Sequence, residues 1–301
     1  MFRPVLAKLL LALALSNSVA TSLAAGSSAP DVGFAIIKTS QVAVREGMLV
    51  PGGSFLKQIN SNFSAFLIKH RQDYLLFDTG MGRQIDSQYQ QDMPMWLRLF
   101  FKYDHPVVSA REQLDKAGLP PLRRVILSHS HWDHASGVLD FPEVKIGVSA
   151  PEKDAIDHAR SGAATTWPSQ VTGAAVQWEI LDFKSGPYKG YAQSLDLYQD
   201  GTVVLVPMPG HTPGSIGLFV TVDSGAVYFF IGDVAWTQDA VLAGAPKFWA
   251  AELLVDKNTS QTLASVTQVR TLQQIASGLV VVPAHDSKVQ DALGYFPNWV
   301  K

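Results

Sequence analysis

Short runs of apolar and β-branched residues recur along the chain, and each leads into a histidine or an aspartate. Continuous runs of this kind predict strands that are covered on both faces. Because residues at the ends of neighbouring strands meet at one edge of a sheet, we expect these polar side chains to lie close together. The runs are YLLF before Asp78, VIL (125–127) before the cluster that begins at His129, TVVLVPMPG (202–210) before His211, AVYFFIG (226–232) before Asp233 and LVVVPA (279–284) before His285.

Helix signals lie between these predicted strands. Ser109 and Glu112 match a capping box, and Gly118 is placed to end the helix that they begin. A longer helix is predicted over residues 259–277, where Gly278 stops it. Helices that alternate with buried strands predict an α/β fold with the helices outside the sheets.

The rest of the chain predicts a single catalytic domain over residues 31–301. Apolar and polar residues alternate partially over residues 34–44, as in a strand, and residues 64–80 predict a hairpin. The aromatic-rich residues 93–106 are too irregular to assign. After residue 31 the sequence contains no further linker or low-complexity segment. Hydrophobic residues make up 47% of the 301 positions, which is enough to bury a sizeable core.

The N-terminus predicts an export signal over residues 1–24. Two basic residues precede the apolar run LLLALAL (9–15), and small residues allow cleavage after Ala20 or Ala24. The apolar run is far shorter than the roughly 20 residues that a stable membrane anchor needs. We therefore expect a periplasmic or secreted protein; the alternative is an uncleaved N-terminal helix.

Charge and cysteine content narrow the chemistry. The formal net charge is −2 and there is no long basic run, which argues against a nucleic acid as the main partner. The chain has no cysteine, so disulfides, thiolate ligands and a cysteine nucleophile are excluded. Nitrogen and oxygen atoms must therefore hold any metal ion.

Three histidines and an aspartate crowd into six positions within the segment SHSHWDHASG (128–137). On a strand-to-loop segment, His129 and His131 can point the same way. Asp133 and His134 then begin the next predicted helix, near whose N-terminus an anion is favourable. The two pairs can address two adjacent points, and their imidazole and carboxylate groups suit zinc, iron, manganese or cobalt.

With the later strand-end residues, the sequence offers seven candidate metal ligands. That number is too large for one tetrahedral ion and natural for two ions that share a carboxylate. Two metal ions about 3.5–4 Å apart can hold a hydroxide between them. We expect two zinc ions, with iron, manganese or cobalt as alternatives. We assign His129, His131 and His211 to one ion, Asp133, His134 and His285 to the other, and Asp233 to the bridge between them.

These segments resemble the signatures of the metallo-β-lactamase fold superfamily, in the same order along the chain. The resemblance implies an αβ/βα four-layer sandwich with the metal ions along one edge. It also implies a bridging aspartate at Asp233, which lactonases, glyoxalase II, nucleases and phosphodiesterases share, and it is closest to secreted members and N-acyl homoserine lactonases. The segments are FDTGMG (77–82), SHSHWDHASG (128–137), PGHTPGSIGLFV (209–220), FIGDVAW (230–236) and VVPAHDS (281–287).

Trp236 departs from the lactonase pattern. Those lactonases commonly carry a tyrosine three residues after the bridging aspartate, where it helps to hold the substrate carbonyl. An indole can donate one hydrogen bond but has no ionisable phenol. We predict that Trp236, Trp96 and Phe100 bind substrate; the aromatic segment 96–101 forms either core or an apolar lip over the metal ions.

The remaining polar candidates are assigned other roles. Asp78 lies in a DTG motif, which in the resembling fold is a loop-fixing element. His70 is predicted in a solvated hairpin turn and His158 on a polar helix face. His105 is predicted at the surface or at a gate, and Trp167 lines either the core or the cavity.

The sequence therefore predicts a metallohydrolase that attacks an apolar small-molecule ester or lactone with a metal-bridging hydroxide. Asp133 is the predicted catalytic residue, which orients the nucleophile and carries a proton to the leaving group. The alternatives are a phosphotriester or β-lactam hydrolase on the same site. A rival from another class is a mononuclear iron persulfide dioxygenase.

Overall fold

The computed structural model describes residues 31–301, so the signal peptide predicted over residues 1–24 lies outside the described residues. The strands form two sheets that lie face to face. The strands are β1 (Val32–Arg45), β2 (Gln58–His70), β3 (Asp73–Phe77), β4 (Arg124–Ile126), β5 (Lys145–Val148), β6 (Gln177–Ile180), β7 (Leu195–Asp196), β8 (Val203–Pro207), β9 (Ile216–Thr221), β10 (Val227–Phe230) and β11 (Leu279–Val282).

Ten α-helices connect the strands within the described residues, and short 3-10 turns cover Leu97–Leu99 and Val138–Asp140. None of the helices in this part of the chain is both long enough and apolar enough to cross a membrane. The helices are α1 (Glu46–Leu49), α2 (Ile85–Asp92), α3 (Ala110–Ala117), α4 (Trp132–Ala135), α5 (Ala150–Asp157), α6 (Pro168–Val171), α7 (Gln238–Ala243), α8 (Trp249–Val255), α9 (Thr259–Ile275) and α10 (Ser287–Leu293).

The first sheet has six strands in the order β1-β2-β3-β4-β5-β6. Its first three strands are antiparallel, and β3 to β6 are parallel. The second sheet has five strands in the order β11-β10-β9-β8-β7, all antiparallel except the β10–β11 pair. This is the α/β class that the alternation of helices and apolar runs predicts.

Three hydrophobic clusters define the layers. The inner cluster joins Phe34 and Phe77 of the first sheet to Phe230 of the second. On the outer face of the first sheet, Leu114 of α3 packs into a second cluster. On the outer face of the second sheet, Val266 of α9 packs into a third. The layers therefore run helix, sheet, sheet, helix, as the resemblance implies.

The predicted helix ends have the expected local geometry. The Ser109 hydroxyl accepts a hydrogen bond from the Glu112 amide, and the Glu112 carboxylate accepts one from the Ser109 amide. Gly118 ends α3 in the left-handed conformation, at φ +63°. The long helix ends at Ile275, two residues before the predicted boundary, because Ala276 already turns towards β11.

His129, His211 and His285 lie on loops three or four residues beyond their strands, not directly after them. β4 ends at Ile126, β8 at Pro207 and β11 at Val282. Pro207 and Pro209 have no amide hydrogen, so they cannot extend a ladder of hydrogen bonds. The loops that carry the histidines begin where the ladders stop.

His70 is not the solvated hairpin residue that the sequence predicts. It is the buried last residue of β2, and its Nε2 lies 2.7 Å from Asp200 Oδ2. Its ring stacks on Tyr198, with 3.7 Å between the ring centroids. The prediction is wrong because the β7–β8 loop of the second sheet covers the turn. His158 is exposed, as predicted, and His105 is exposed as well.

Candidate metal centre

All seven predicted ligands meet at one edge of the two sheets. The loop after β4 carries His129 and His131, and the short helix α4 carries Asp133 and His134. The second sheet supplies the other three from the loops after β8, β10 and β11. Their nitrogen and oxygen atoms form three groups, in each of which all ligand atoms lie within 4.8 Å of one another. The groups are His129–His131–His211, His129–His134–Asp233 and Asp133–His134–His285.

The first group consists of three imidazoles. His129 Nε2 and His211 Nε2 are 3.1 Å apart. The ring of His131 lies 4.6 Å from the ring of His129 and 4.5 Å from that of His211, measured between centroids. All three side chains are buried. Three inward-facing imidazoles are a typical nitrogen site for a divalent ion.

The second group consists of Asp133, His134 and His285. It lies beside the three imidazoles, and Asp233 lies between the two groups. His285 Nε2 is 3.3 Å from Asp133 Oδ2, and His134 Nε2 is 3.9 Å from the same oxygen. Asp233 Oδ1 is 3.3 Å from His134 Nε2, whereas Asp233 Oδ2 is 3.7 Å from His211 Nε2. One carboxylate thus reaches both groups, as a bridging ligand must.

Acceptors behind the rings determine which nitrogen of each imidazole carries a hydrogen. His134 Nδ1 lies 2.9 Å from Asp78 Oδ2 and His211 Nδ1 lies 2.6 Å from Asp256 Oδ1. His285 Nδ1 lies 2.8 Å from the Asn62 carbonyl oxygen. Carboxylate and carbonyl oxygens only accept hydrogen bonds, so the Nδ1 atoms must donate. In a neutral imidazole the Nε2 atom then presents a lone pair to the site.

This arrangement fits cations and little else. The lone pair of His211 Nε2 faces His129 Nε2, and the Nδ1 of His129 already bonds the Ser128 hydroxyl at 3.0 Å. Because the Ser128 hydroxyl donates its hydrogen to Asp78, it accepts from His129. Two facing lone pairs repel unless a positive charge lies between them. Among the described residues, His134 Nε2 and Asp233 Oδ1 are buried without a hydrogen-bond partner, which is expected of atoms that bind a metal ion.

Burial sets the electrostatics of the first group. Burial lowers the pKa of His129 and of His131 well below the ordinary histidine value, and neighbouring imidazoles lower it further. Burial also lowers the pKa of His211, with a further contribution from the Lys247 charge. These imidazoles are therefore neutral, the form that binds a metal ion.

The acidic residues dominate the second group. Burial opposes the charged form of His134, but the carboxylates of Asp78, Asp233 and Asp133 outweigh it and raise its pKa well above the ordinary value. Burial raises the pKa of Asp133, whereas the charges of His285 and His134 overcome burial and hold the pKa of Asp233 well below its usual range. Negative charge therefore concentrates on the Asp233 carboxylate, which lies between the two groups.

Several residues support the site although no signal in the sequence ties them to it. Asp256 orients His211, and Lys247 Nζ lies 2.8 Å from Asp256 Oδ1. Glu152 joins two ligand-bearing loops: Oε1 accepts from the Ser130 amide at 2.7 Å, and Oε2 accepts from the Thr212 hydroxyl at 2.6 Å. Asp256 follows the apolar run LLV (253–255) and Glu152 lies three residues after Ser149, but neither pattern links these residues to the metal ligands, so only the fold reveals their contacts.

The metal-binding groups form the floor of a cavity of about 300 Å³. The exposed side chains of Trp96 and Phe100 stand at its mouth, where 58% and 61% of their surface is accessible. Trp167 does not line the cavity; it is buried and stacks on Trp132, with 5.2 Å between ring centroids. Apart from Ser61 and Lys102, the walls are apolar and come from Val42, Val44, Met48, Leu49, Phe63, Trp96, Phe100, Phe101, Trp132, Ala164, Trp236, Phe248, Ala250, Ala251, Leu254 and Val255.

Trp236 lines the same cavity, but its single donor is already engaged. The indole Nε1 donates to Asp233 Oδ2 at 2.8 Å. The ring therefore offers the cavity an apolar face, and the N–H group steadies the carboxylate that lies between the two groups of ligands.

Comparisons with known proteins agree with this geometry. The chain matches the family model described as the metallo-beta-lactamase superfamily over residues 63–272. It is 29% identical to a probable metallo-hydrolase of Mycobacterium tuberculosis over 234 residues, which cover 73% of each chain. It is 25% identical to the N-acyl homoserine lactonase AttM of Azorhizobium caulinodans over 227 residues, which cover 73% of this chain and 80% of the lactonase.

The fold is also similar to solved structures. An N-acyl homoserine lactone hydrolase, solved with the product N-hexanoyl-L-homoserine at its catalytic metal centre, superposes with a TM-score of 0.69 at 17% identity. The superposition covers 90% of this chain and 100% of that one. With the family match over most of its length, the chain belongs to the metallo-beta-lactamase superfamily and is a metal-dependent hydrolase.

Proposed function

We propose that this chain is a dinuclear zinc hydrolase that opens lactones or cleaves esters with an apolar acyl part. The ligand arrangement at the floor of an apolar cavity carries this proposal. Seven side chains are too many for one tetrahedral ion. Two ions that share Asp233 would use all of them, because its carboxylate lies 3.3 Å from His134 Nε2 of one group and 3.7 Å from His211 Nε2 of the other.

The protein's part in the reaction is to hold the ligands in place. When bound, the two ions supply hydroxide at neutral pH by lowering the pKa of water from about 15.7 towards about 7, and they polarise the substrate carbonyl. Asp78, Asp256 and the Asn62 carbonyl oxygen keep three of the imidazoles from rotating. His129, His131 and His211 would hold one ion, and Asp133, His134 and His285 the other, with Asp233 between them.

Asp133 is placed to handle the proton of the reaction. It is the least buried of the seven ligands, with 11% of its side chain exposed, and it lines the cavity. Its Oδ2 lies 3.3 Å from His285 Nε2. A carboxylate at the floor of the cavity can orient the attacking water, accept its proton at Oδ2 and deliver it to the leaving alkoxide.

The walls of the cavity favour a neutral, apolar substrate. An acyl chain that enters between Trp96, Phe100 and Phe248 would replace water along apolar surface. Two relatives are by name N-acyl homoserine lactone hydrolases, which supports an acyl lactone or ester. Because the Trp236 N–H group is engaged by Asp233, we assign it no carbonyl contact and propose a substrate class wider than homoserine lactones.

A substrate panel tests the proposal. The purified protein is assayed on a lactone, an aryl ester, an organophosphate triester and a β-lactam, and the lactone or the ester should be hydrolysed fastest. Asp133→Ala and His211→Ala should each abolish hydrolysis while circular dichroism stays native. The control His158→Ala changes an exposed histidine outside the cavity and should keep full activity. Fastest turnover of the triester or the β-lactam would refute the proposed substrate class.

A further inference from the structure

Lys247 is a buried lysine that the proposed chemistry does not use. It lies in the loop between α7 and α8, and only 3% of its side chain is exposed. Its Nζ lies 2.8 Å from Oδ1 of Asp256, whose side chain is 1% exposed. A buried ammonium is costly unless it is paired and hydrogen-bonded. The pair therefore needs a reason beyond the packing of the loop.

Asp256 connects this ammonium to the imidazole group. The same oxygen that binds Lys247 accepts a hydrogen bond from His211 Nδ1 at 2.6 Å. That bond directs His211 Nε2 towards His129. The ammonium holds the carboxylate in place and balances its charge, so Asp256 can orient the imidazole without withdrawing its proton.

The same ammonium lies over the ring of Trp236. The distance from Lys247 Nζ to the ring centroid is 5.6 Å, within the range of a cation–π interaction. The Trp236 N–H group donates to Asp233 Oδ2 at 2.8 Å. An ammonium group over the ring opposes rotation of the indole and so preserves the hydrogen bond from Trp236 to Asp233. One cation thus contacts the supports of both His211 and Asp233.

We propose that Lys247 is a positioning residue that couples the two parts of the metal centre, through Asp256 to His211 and through Trp236 to Asp233. The inference rests on the proposed function, because it requires these ligands to hold two ions. Without Lys247, Asp256 would be a buried carboxylate with only His211 opposite it. His134 and His285 keep their own supports, Asp78 and Asn62. The ion assigned to His129, His131 and His211 should therefore lose the most affinity, because it loses support at both His211 and Asp233, whereas the other ion loses support at Asp233 alone.

Metal binding tests this directly, without reference to activity. Metal-free protein is titrated with Co²⁺ by visible absorption and with Zn²⁺ against a chromophoric chelator. Lys247→Met should lower the affinity for one ion about 10- to 100-fold, the usual effect of removing a support behind a ligand, and the affinity for the other ion less. Lys247→Arg keeps the charge and should recover most of that loss. The control Lys257→Met removes an exposed lysine beside Asp256 and should change neither affinity.

Each result decides the inference. Unchanged affinity for both ions in Lys247→Met would overturn it, as would a Lys247→Arg variant no better than Lys247→Met. If Lys247→Met does not fold, Lys247→Gln is used instead, since it offers Asp256 a neutral amide donor on a slightly shorter side chain. It should show the same unequal loss, and normal affinity for both ions would overturn the inference. Unaltered protein that binds fewer than two ions would instead refute the dinuclear centre itself.

Discussion

Asp78 has a larger role than the loop-fixing one predicted from its DTG motif. Its Oδ1 accepts from the Ser128 amide at 2.6 Å, and its Oδ2 accepts from the Ser128 hydroxyl at 2.7 Å and from His134 Nδ1 at 2.9 Å. Its backbone has a φ of +59°, a conformation that non-glycine residues rarely adopt. The carboxylate therefore fixes the loop and also orients one of the candidate ligands.

Asp78→Asn should weaken both the fold and the metal centre. The loss of charged hydrogen bonds should lower the free energy of unfolding by about 1.5–3 kcal/mol. Loss of the support behind His134 should lower metal affinity about 10- to 100-fold. Urea unfolding of the metal-free protein and competition with a chelator measure the two effects. Asp140→Asn is the matched control, since this buried carboxylate binds the Arg83 amide and no ligand; metal affinity that falls equally in both variants would contradict the role of Asp78.

The sequence predicts the individual ligand residues, but it does not predict most of the residues that hydrogen-bond to them. His211, Asp233 and His285 follow apolar runs, and the pattern of strand ends marks them. Asp256 lies 45 positions from His211, and although it follows the apolar run LLV (253–255), no motif or spacing links it to the ligands. Lys247 is equally unmarked. Such contacts are tertiary, so they become visible only when the fold brings the segments together.

Among the elements, the aromatic segment 93–106 shows why its pattern was irregular. Leu97 is buried, whereas Trp96 and Phe100 on either side of the 3-10 turn are exposed at the cavity mouth. The Arg98 guanidinium holds the turn by donating to the Met93 and Gln90 carbonyl oxygens. The segment is shaped by the cavity that it borders, and no helical or strand period describes it.

Phe100→Ala should reduce activity on long acyl substrates in particular. Burial of an aromatic side chain contributes about 1.5–3 kcal/mol, so kcat/KM for a long-chain ester should fall roughly tenfold or more. An acetyl ester does not reach the mouth and should react at nearly the same rate. Paired assays of the two esters measure the effect. Ile275→Ala is the control, because Ile275 is 75% exposed at the end of α9; equal losses on both esters would contradict an acyl-binding role for Phe100.

The contrast between α3 and the β2–β3 turn shows what local signals can predict. The capping box at Ser109 and the end at Gly118 follow from interactions within one helix, so the sequence predicts them correctly. The burial of His70 depends instead on an interaction between the two sheets. Its partner Asp200 is 130 positions away, so the solvated turn suggested by the local sequence was wrong.

The Asp200–His70 pair should make stability depend on acid pH. Partial burial opposes ionisation of Asp200, but hydrogen bonds from Thr202 and His70 outweigh it and lower its pKa to about 2. A carboxyl whose pKa is lower in the folded state stabilises above its unfolded pKa, about 3.9, and loses that contribution as the pH falls towards 2. Asp200→Asn should therefore cost about 1 kcal/mol at pH 5 and less at pH 3 in urea unfolding. Asp182→Asn, in an exposed pair with Lys184, should cost little at either pH; a cost for Asp200→Asn that grows towards pH 3 would contradict the assignment.

At the scale of the whole molecule, the site depends on the packing of the two sheets. The first sheet and its loops contribute His129, His131, Asp133 and His134, and the second contributes His211, Asp233 and His285. A backbone hydrogen bond from the Ile216 amide to the Ser128 carbonyl oxygen, 2.9 Å long, joins the two sides beside the site. The apolar runs predict the strands and the α/β class, but periodicity alone does not assign a strand to a sheet. The family resemblance supplied that arrangement.

Export remains a prediction about the whole chain. If residues 1–24 act as a signal peptide, protein recovered from the periplasm or the medium should begin at Thr21 or Ala25. Intact-mass spectrometry of the recovered protein checks this. Removal of residues 2–24 should keep the chain in the cytoplasm. Exported protein that still begins at Met1 would contradict cleavage, and efficient export of the shortened chain would contradict the signal.

The metal content of active protein tests the central claim most directly. Purified protein should contain two zinc ions per chain, lose hydrolysis when a chelator removes them and regain it as two equivalents are returned. Elemental analysis alongside a lactone or ester assay measures this in one titration. One iron per chain with oxygen uptake, or full hydrolytic activity in metal-free protein, would contradict the dinuclear hydrolase.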